Sequence, residues 1–496
     1  MQSKQNKGPA RCVMVLGTTS GAGKSWVTTA LCRWYARQGL KVAPFKAQNM
    51  SNNARVVEGG EIGSAQYFQA LAARAVPEVR MNPLLLKPER DTHSQVVLLG
   101  RVDAGLTAMP WRGRSARVWP LVAQALDALR AENDVVVIEG AGSPAEINLA
   151  DSDIVNMRVA EHAGARCLLV TDIDRGGAFA HLYGTWALLP PAQRALIHGF
   201  VLNKFRGDAA LLAPGPQQLE QLTGVPTVAT LPMWWRHGLP EEDGVFDDRT
   251  VAAGRVQRTV AVLAYPRISN LDEFQPLKNV PGLRLAWVRA PAQLAALTAS
   301  DWIVLPGSKQ TSADLAWLRE QGLDAAVAAH AAAGGAVLGI CGGLQMLGEA
   351  LVDPHGIDGN APGLGLLPLV TQFAQDKTVR ATATRFGRLQ GPWQALSGLA
   401  VQGYEIHHGQ TAPHPALAAA GQRAEAVLPG DLGWQASHGA GQGNVLGLYL
   451  HGLFEDAGVL RALFGAESQT LDAVFDGLAD FLDQHVAAGV LRKLLH

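Results

Sequence analysis

The sequence predicts an α/β protein with two domains, each built on a mostly parallel sheet flanked by helices. Short apolar runs alternate with helical patterns in both halves of the chain, which is typical of parallel sheets. Between the halves, the stretch 234–256 is polar, acidic and rich in turn residues. The chain has 496 residues, whereas one domain usually has roughly 100–200. We therefore predict a first domain at 1–250 and a second at 251–496.

Composition narrows the class of protein. Hydrophobic residues make up 48% of the chain, which excludes general disorder. Lys and Arg total 42 while Asp and Glu total 43, so we expect neither a nucleic-acid partner nor an anionic membrane. The four cysteines lack metal-ligand spacing and indicate neither a zinc site nor disulfides. No apolar run reaches the roughly 20 residues of a membrane span, and we expect a cytoplasmic protein.

The predicted strands of the first half are short apolar runs that each end in a polar or glycine-containing turn. They are Val13–Leu16, Val42–Phe45, Asp134–Ile138, Cys167–Thr171 and Gly199–Leu202. Helical patterns between them include Ser25–Gln38 and Ser64–Ala75. Sheets of this kind bind ligands at the carboxyl ends of their strands, so functional side chains are expected there.

The second half repeats this alternation. Its predicted strands are Thr259–Ala264, Leu283–Val288, Trp302–Leu305, Ala336–Ile340 and Val445–Leu450. An alanine-rich helical pattern lies at Leu323–Ala333, and the chain ends in another at Leu471–Leu495. The terminal pattern is amphipathic and carries several aspartates, so we expect it to pack on its own domain rather than on a membrane.

A glycine-rich turn joins the first strand to the first helix, with the sequence GTTSGAGKS. Backbone N–H groups of Gly17, Thr18 and Gly23 are predicted to wrap phosphates, because glycine permits close approach and the helix N-terminus is positive. Lys24 is placed to reach the terminal phosphates, and the Ser25 hydroxyl to bind Mg²⁺. The first glycine lies one residue further out than usual. The turn therefore predicts a variant phosphate loop that binds ATP.

Polar side chains at later strand ends extend this predicted site. Glu139 follows a buried strand and suits Mg²⁺ or the γ-phosphate, although a turn role is the alternative. Asp172 either holds the metal or forms a local ion pair with Arg175. Lys46 is a candidate clamp on phosphate charge. Asn203 either reads the nucleotide base or stabilises a turn.

The second half contains a candidate nucleophile in AVLGICGGLQ. A buried strand runs into Cys341, two glycines and a helix, which is the layout of a nucleophile elbow. The helix N-terminus stabilises a thiolate. Two sets of backbone N–H donors are candidates for holding an oxyanion. One set is at the elbow, and the other is that of Gly307 and Ser308 at another strand end.

A thiol nucleophile needs a histidine base that is close in space. His451 follows the last predicted strand and is our first choice. His407 and His408 are the alternatives, although that pair is more typical of a substrate or structural loop. Glu455, four residues after His451, is a candidate for orienting the imidazole.

These motifs resemble two known domains. GICGGLQML and the later YLHG resemble the class I glutamine amidotransferase domain. GTTSGAGKS, PFKAQNM, EGAGSPAEINL and DIDRGG resemble the dethiobiotin-synthetase-like ATPase domain of the cobyric acid synthase family. The resemblance covers most of the chain, with the motifs in the family's order. It implies a P-loop NTPase-like domain followed by a flavodoxin-like amidotransferase domain.

The resemblance also implies a reaction. In that family, adenosylcobyrinic acid a,c-diamide receives amides at its corrin carboxylates b, d, e and g, each using one glutamine and one ATP. By this pattern Cys341 attacks glutamine with His451 as base, and ammonia is released. The ATP domain converts a corrin carboxylate to an acyl phosphate, which ammonia displaces. Lys24, Ser25 and Glu139, together with Lys46, would serve phosphate and Mg²⁺.

Three positions depart from the family pattern. Gly21 stands where the family often has Asp, which concerns only a water or metal contact. Leu453 stands where the amidotransferase triad usually has Glu, so the resemblance implies a Cys–His dyad. The segment SNLDEF replaces a more usual sequence without a predictable consequence.

Two rival functions remain. One is that of cobyrinic acid a,c-diamide synthase, and the other is that of a P-loop switch or partitioning ATPase that binds partners without ligating anything.

Overall fold

The computed structural model describes most of the chain. Its described residues are 8–90, 92–235, 237–240, 255–466 and 469–496. The predicted domain boundary near residue 250 lies outside these ranges, so the boundary stays a prediction. Among the described helices, none combines the length and the apolar character that crossing a bilayer requires.

The first half contains the following elements. Its strands are β1 Arg11–Gly17, β2 Val42–Phe45, β3 Gln48–Met50, β4 Ala54–Val57, β5 Gly60–Gly63, β6 Leu84–Arg90, β7 His93–Leu98, β8 Arg101–Val102, β9 Val135–Glu139, β10 Arg166–Asp172, β11 Ile197–Phe205 and β12 Thr227–Pro232. Its α-helices are α1 Lys24–Arg37, α2 Ser64–Ala72, α3 Ala104–Ala108, α4 Trp111–Glu132, α5 Met157–Ala163, α6 Ala178–Leu188, α7 Pro191–Arg194 and α8 Gly215–Thr223. Short 3₁₀-helices lie at Val79–Met81, Ala150–Ser152 and Ala209–Leu212.

The second half contains a comparable set. Its strands are β13 Arg258–Leu263, β14 Ile268–Ser269, β15 Leu283–Val288, β16 Trp302–Leu305, β17 Gly307–Ser308, β18 Ala336–Ile340, β19 Ala350–Val352, β20 Ala361–Pro362, β21 Leu369–Arg385, β22 Ala400–Pro413, β23 Glu425–Leu428, β24 Gly433–Ala436 and β25 Val445–Leu448. Its α-helices are α9 Thr311–Glu320, α10 Leu323–Ala332, α11 Gly342–Leu347, α12 Pro415–Ala419, α13 Ala457–Phe464, α14 Leu471–His485 and α15 Val490–Lys493. The 3₁₀-helices are Leu271–Asn279, Pro291–Gln293, Gly391–Leu396 and Leu453–Glu455.

The main sheet of the first half has the strand order β12-β11-β10-β1-β9-β2, and its neighbouring strands are parallel. The predicted strands are confirmed, while β12 was not predicted. Strand β1 is central and pairs with β9 and β10. The turn after β1 therefore lies beside the carboxyl ends of both neighbours, where ligands bind in such sheets.

The main sheet of the second half has the order β15-β13-β16-β18-β25-β24-β23. The strands from β15 to β25 are parallel, and β24 and β23 add an antiparallel edge. Strand β18 leads into Cys341, and its neighbour β25 leads towards His451. Adjacent parallel strands bring these two side chains to one edge of the sheet. The predicted α/β class with two mostly parallel sheets is confirmed.

An unpredicted antiparallel ribbon, β21 and β22, joins the two halves. Its strands pair over most of their length and contact the β4–β5 hairpin of the first half. Lys377 of the ribbon donates to Glu61 of β5 at 2.6 Å, and Glu61 also accepts from Lys87 at 2.5 Å. The ribbon therefore places part of the second half directly against the first.

The C-terminal helix α14 packs on the first half, so the expectation that it packs on its own domain was wrong. Its apolar face lies in the same core as β1 and α1. The buried guanidinium of Arg33 in α1 pairs with Asp472 at 2.6 Å and with Asp476 at 2.8 Å. Two aspartates of the terminal pattern are therefore partners of a helix that is distant in sequence.

Phe475 offers a test of this packing. Its side chain is 1% exposed within the core of the first half. Replacing it with alanine is expected to reduce the free energy of unfolding by about 3–5 kcal/mol, the usual cost of removing a buried phenyl ring. Denaturant unfolding followed by circular dichroism measures the change. A loss below about 1 kcal/mol would mean that α14 contributes little to this core.

Candidate active sites

The glycine-rich turn after β1 has the backbone that a phosphate loop requires. Gly23 has φ of 100°, a left-handed conformation that favours glycine. A Cβ at Gly23 would lie 2.0 Å from the side-chain nitrogen of Asn203. That Asn203 nitrogen donates to the carbonyl oxygen of Ala22 at 2.9 Å. Asn203 therefore contacts the backbone of the loop, as its structural alternative requires, while its contact with a nucleotide base stays a prediction.

Lys24 lies where two glycine-containing loops meet. Its Nζ donates to the carbonyl oxygens of Thr19 at 2.9 Å and of Gly142 at 3.1 Å. A Cβ at Gly17 would approach this Nζ to 2.9 Å, so the side chain folds back over the start of the loop. Beside it, the Thr18 hydroxyl donates to the hydroxyl of Thr171 at 2.9 Å. The ammonium is therefore held within the loop by backbone oxygens.

Glu139 at the end of β9 accepts hydrogen bonds from several polar side chains of this site. Its Oε1 accepts from the Ser25 hydroxyl at 2.9 Å and from Lys46 Nζ at 2.8 Å. Its Oε2 accepts from Gln69 of α2 at 2.5 Å, a partner that the sequence analysis missed. Burial alone would raise the pKa of Glu139, but Lys46 and these hydrogen bonds hold it below its usual value. The carboxylate is therefore charged, as a metal ligand must be.

The donor set around Glu139 fits a magnesium ion. A hydroxyl and a charged carboxylate lie side by side in Ser25 and Glu139, and Mg²⁺ prefers such oxygen ligands.

Asp172 has a different environment. Its Oδ2 lies 3.1 Å from Lys204 Nζ and 3.4 Å from Arg175 Nε, which is the local ion pair of the alternative interpretation. Lys204 also donates to the carbonyl oxygen of Gly21 at 2.9 Å, so Asp172 supports the loop.

Cys341 lies on a strained turn between β18 and α11. Its φ of 51° and ψ of −106° are unusual for a non-glycine residue and typical of functional turns. The elbow packs tightly, because a Cβ at Gly343 would lie 1.9 Å from the carbonyl oxygen of Leu305. A Cβ at Gly342 would lie 2.8 Å from the backbone nitrogen of Ser308. The backbone proposed to hold an oxyanion is therefore next to the elbow.

A buried triad forms around His451. Its Nδ1 lies 3.1 Å from Oε1 of Glu273, whose Oε2 accepts from the backbone N–H of Gly452 at 3.0 Å. The side chain of Cys341 is close enough to His451 to contribute to its pKa, and the sulfur lies 3.6 Å from the carbonyl oxygen of Ile406. Burial lowers the pKa of His451, but the charges and hydrogen bonds of Glu273 and Cys341 outweigh burial and raise it to about 10. The dyad interpretation therefore left out a carboxylate that the structure supplies.

The alternative histidines lie elsewhere in the hydrogen-bond network. His407 Nε2 lies 3.3 Å from a carboxylate oxygen of Glu405. His408 Nδ1 lies 3.1 Å from the carbonyl oxygen of Ala374, and burial lowers the pKa of His408 to about 4. Of these histidines, His451 follows the strand that pairs with β18, and the Cys341 side chain contributes to its pKa.

The acid of the triad comes from an unexpected segment. Leu453 is fully buried in the apolar core, and Glu455 pairs with Arg55 at 2.6 Å. The suggestion that Glu455 orients His451 was therefore wrong. Glu273 belongs to the SNLDEF segment to which no consequence was attached. No clear sequence signal marked it, because Glu273 lies well beyond the predicted strand Thr259–Ala264, within a 3₁₀-helix.

The fold and the two sites define a class of protein: a ligase with a P-loop-like nucleotide-binding domain and an amidotransferase domain. A family model described as the CobQ/CobB/MinD/ParA nucleotide binding domain matches residues 13–243. Another, the CobB/CobQ-like glutamine amidotransferase domain, matches residues 259–459. Use of ATP follows from the nucleotide-binding domain and the ligase class.

Full-length relatives identify the family. A protein named cobyric acid synthase from Variovorax paradoxus is 79% identical over 485 residues, covering 98% of this chain and 99% of the relative. Another of that name, from Polaromonas naphthalenivorans, is 75% identical over 486 residues, with coverage of 98% and 99%. The chain belongs to the cobyric acid synthase family, ligases of cobalamin biosynthesis with a glutamine amidotransferase domain.

Proposed function

We propose that this enzyme amidates the corrin carboxylates b, d, e and g of adenosylcobyrinic acid a,c-diamide, giving adenosylcobyric acid. Each amidation uses one glutamine and one ATP. The observation that carries the proposal is the presence of two built sites in one chain, the Cys341–His451–Glu273 triad and the phosphate loop beside Glu139. The name of the relatives supports the corrin substrate. A cytoplasmic location is part of the proposal.

The triad releases ammonia from glutamine. The Cys341 sulfur attacks the carboxamide carbon, and His451 accepts the thiol proton and passes it to the departing ammonia. Backbone donors near Ser308 stabilise the oxyanion. Water then hydrolyses the thioester, which releases glutamate and regenerates the thiol. Glu273 keeps the imidazole oriented and stabilises its charged form.

The phosphate loop activates the corrin carboxylate. A carboxylate oxygen attacks the γ-phosphorus of ATP, ADP leaves, and ammonia displaces phosphate from the resulting acyl phosphate. Lys24 and Lys46 stabilise the charge that develops during phosphoryl transfer. Ser25 and Glu139 would hold Mg²⁺, which would neutralise phosphate charge. Asp172, whose Oδ2 pairs with Lys204 and Arg175, is not part of this donor set.

Mass spectrometry of the corrin product tests this function. The purified enzyme is incubated with ATP, glutamine and adenosylcobyrinic acid a,c-diamide, and the product is expected to gain four amide nitrogens. Cobyrinic acid, offered separately, is expected to remain unchanged. Two amides added to cobyrinic acid, with none added to the diamide, would favour the a,c-diamide synthase instead. No amide on either corrin would contradict both functions.

Glu273 should control the charge of His451. Because the pKa of His451 is raised from 6.5 to about 10, its imidazolium is favoured in the folded protein, and this stabilisation is lost as pH rises through about 10. Glu273→Gln is expected to slow glutamine hydrolysis by about 10²–10⁴-fold and to shift the basic limb of its pH profile downward. Glutamate release measured from pH 6 to 11 checks this. An unchanged profile would remove Glu273 from the triad.

A further inference from the structure

Arg55, on β4 of the first half, has a buried guanidinium that contacts the second half. The residue is 2% exposed. It pairs with Asp272 and lies 2.6 Å from a carboxylate oxygen of Glu455. Its guanidinium carbon lies 4.9 Å from the ring centre of Phe68 and 5.0 Å from that of Tyr404. Neither catalytic step proposed above uses this cation.

The second-half partners of Arg55 adjoin the triad. Asp272 precedes Glu273 in the same 3₁₀-helix. The backbone of Tyr404 exchanges hydrogen bonds with that of His451 at 2.9 and 3.3 Å. The two rings stack with their centres 5.3 Å apart and 19° between their planes. Glu455 lies four residues beyond His451, in the 3₁₀-helix that follows it. Arg55 therefore contacts the immediate supports of both Glu273 and His451.

The charges of Arg55 and its carboxylate partners explain how these contacts affect the triad. Asp272, Glu273 and Glu455 bring three carboxylates into one buried region, and Arg55 pairs with two of them. Burial raises the pKa of Glu455 and Arg55 opposes that rise. Removing the guanidinium would leave the carboxylates of Asp272 and Glu455 without this paired cation. Burying such charges is costly, and side-chain movement or proton uptake would relieve the cost. Either response would disturb Glu273.

Backbone contacts hold the same junction in register. The Asn53 side-chain oxygen accepts from the N–H of Leu271 at 3.1 Å. In return, the side-chain oxygen of Asn270 accepts from the N–H of Ala54 at 3.0 Å. Helix α2 connects this junction to the ATP site, because Phe68 lies under Arg55 while the next residue, Gln69, donates to Glu139.

We propose that Arg55 is a positioning residue for glutamine hydrolysis, supplied to the amidotransferase triad by the nucleotide-binding half. It fixes Asp272, Glu455 and Tyr404, so that Glu273 and His451 face the thiol. The triad is then complete only when the two halves are docked. This inference rests on the proposed function, because it requires that the triad hydrolyses glutamine.

The test uses the full chain carrying Arg55→Met, Arg55→Lys or, as a matched control, Arg33→Met. Arg33 is likewise buried and pairs across the halves, with Asp472 and Asp476. Each variant is assayed for glutamate release and, separately, for amidation driven by ammonium chloride. Arg55→Met is expected to lower kcat for glutamine hydrolysis by about 100-fold, the usual effect of a misplaced catalytic group, with ammonia-driven amidation within about twofold.

The other variants separate positioning from folding. Arg55→Lys is expected to recover part of the lost kcat, and Arg33→Met to keep both activities. Equal loss of both activities in folded Arg55→Met, or wild-type hydrolysis, overturns the proposal. If Arg55→Met fails to fold, the charge-balanced triple variant Arg55→Met, Asp272→Asn, Glu455→Gln replaces it. The same selective loss supports the proposal, and wild-type hydrolysis overturns it. Wild-type enzyme that releases no glutamate would contradict the proposed function itself.

Discussion

Cys341→Ala will abolish glutamine-dependent amidation and leave amidation from ammonium salts within about twofold. In the proposed reaction the thiol is the nucleophile that forms the thioester with glutamine. Loss of a nucleophile lowers turnover by about 10⁴-fold or more. Ammonia from solution makes glutamine hydrolysis unnecessary, because the proposed acyl phosphate forms at the phosphate loop of the first half. Amide formation from each nitrogen source, measured by mass spectrometry of the corrin, checks the prediction.

Cys167→Ala serves as the matched control. Cys167 is also buried, but it belongs to the core of the first half, and burial raises its pKa far above the usual value. This variant should keep both activities. If Cys341→Ala lost both nitrogen sources equally while remaining folded, the thiol would not be the group that releases ammonia.

Lys24→Ala will stop amidation from glutamine and from ammonium salts alike. The ammonium lies inside the phosphate loop, between the carbonyl oxygens of Thr19 and Gly142. Without it, phosphoryl transfer loses a cation placed where charge develops, which we expect to cost about 10³-fold or more in kcat. ADP release in the presence of the diamide measures this step independently of the nitrogen source.

Lys41→Ala is the control for a lost lysine in the same domain. Lys41 precedes β2 at the amino end of the sheet, away from the phosphate loop, and its replacement should leave ADP release unchanged. Normal ammonia-driven product from Lys24→Ala would remove Lys24 from the ATP site.

The sheet strands and both loop motifs were predictable because local chemistry determines them. Buried parallel strands require continuous apolar runs, so β2, β15, β16 and β18 have the predicted bounds. The phosphate loop and the cysteine elbow need glycines next to a specific side chain, and both patterns are contiguous in sequence. His451 was predicted by a related argument, from the end of a strand that neighbours β18.

The missed features depend on contacts between distant parts of the chain. Glu273 lies 178 positions from His451, in a 3₁₀-helix with no motif of its own. Arg55 lies in a short hairpin strand whose sequence does not reveal a buried cation. The placement of α14 was wrong because an amphipathic pattern shows which face is buried but not which domain covers it. The ribbon β21–β22 carries many polar residues, so no apolar run marked it.

Label transfer tests the central claim most directly. The wild-type enzyme is incubated with ATP, adenosylcobyrinic acid a,c-diamide and glutamine labelled with nitrogen-15 in the side-chain amide. ADP, glutamate and label in the corrin are then counted together. One ADP and one glutamate are expected for each labelled amide, and no label is expected in the product of Cys341→Ala. Labelled amides formed without ADP, or ADP and glutamate formed with no label in the corrin, would contradict it.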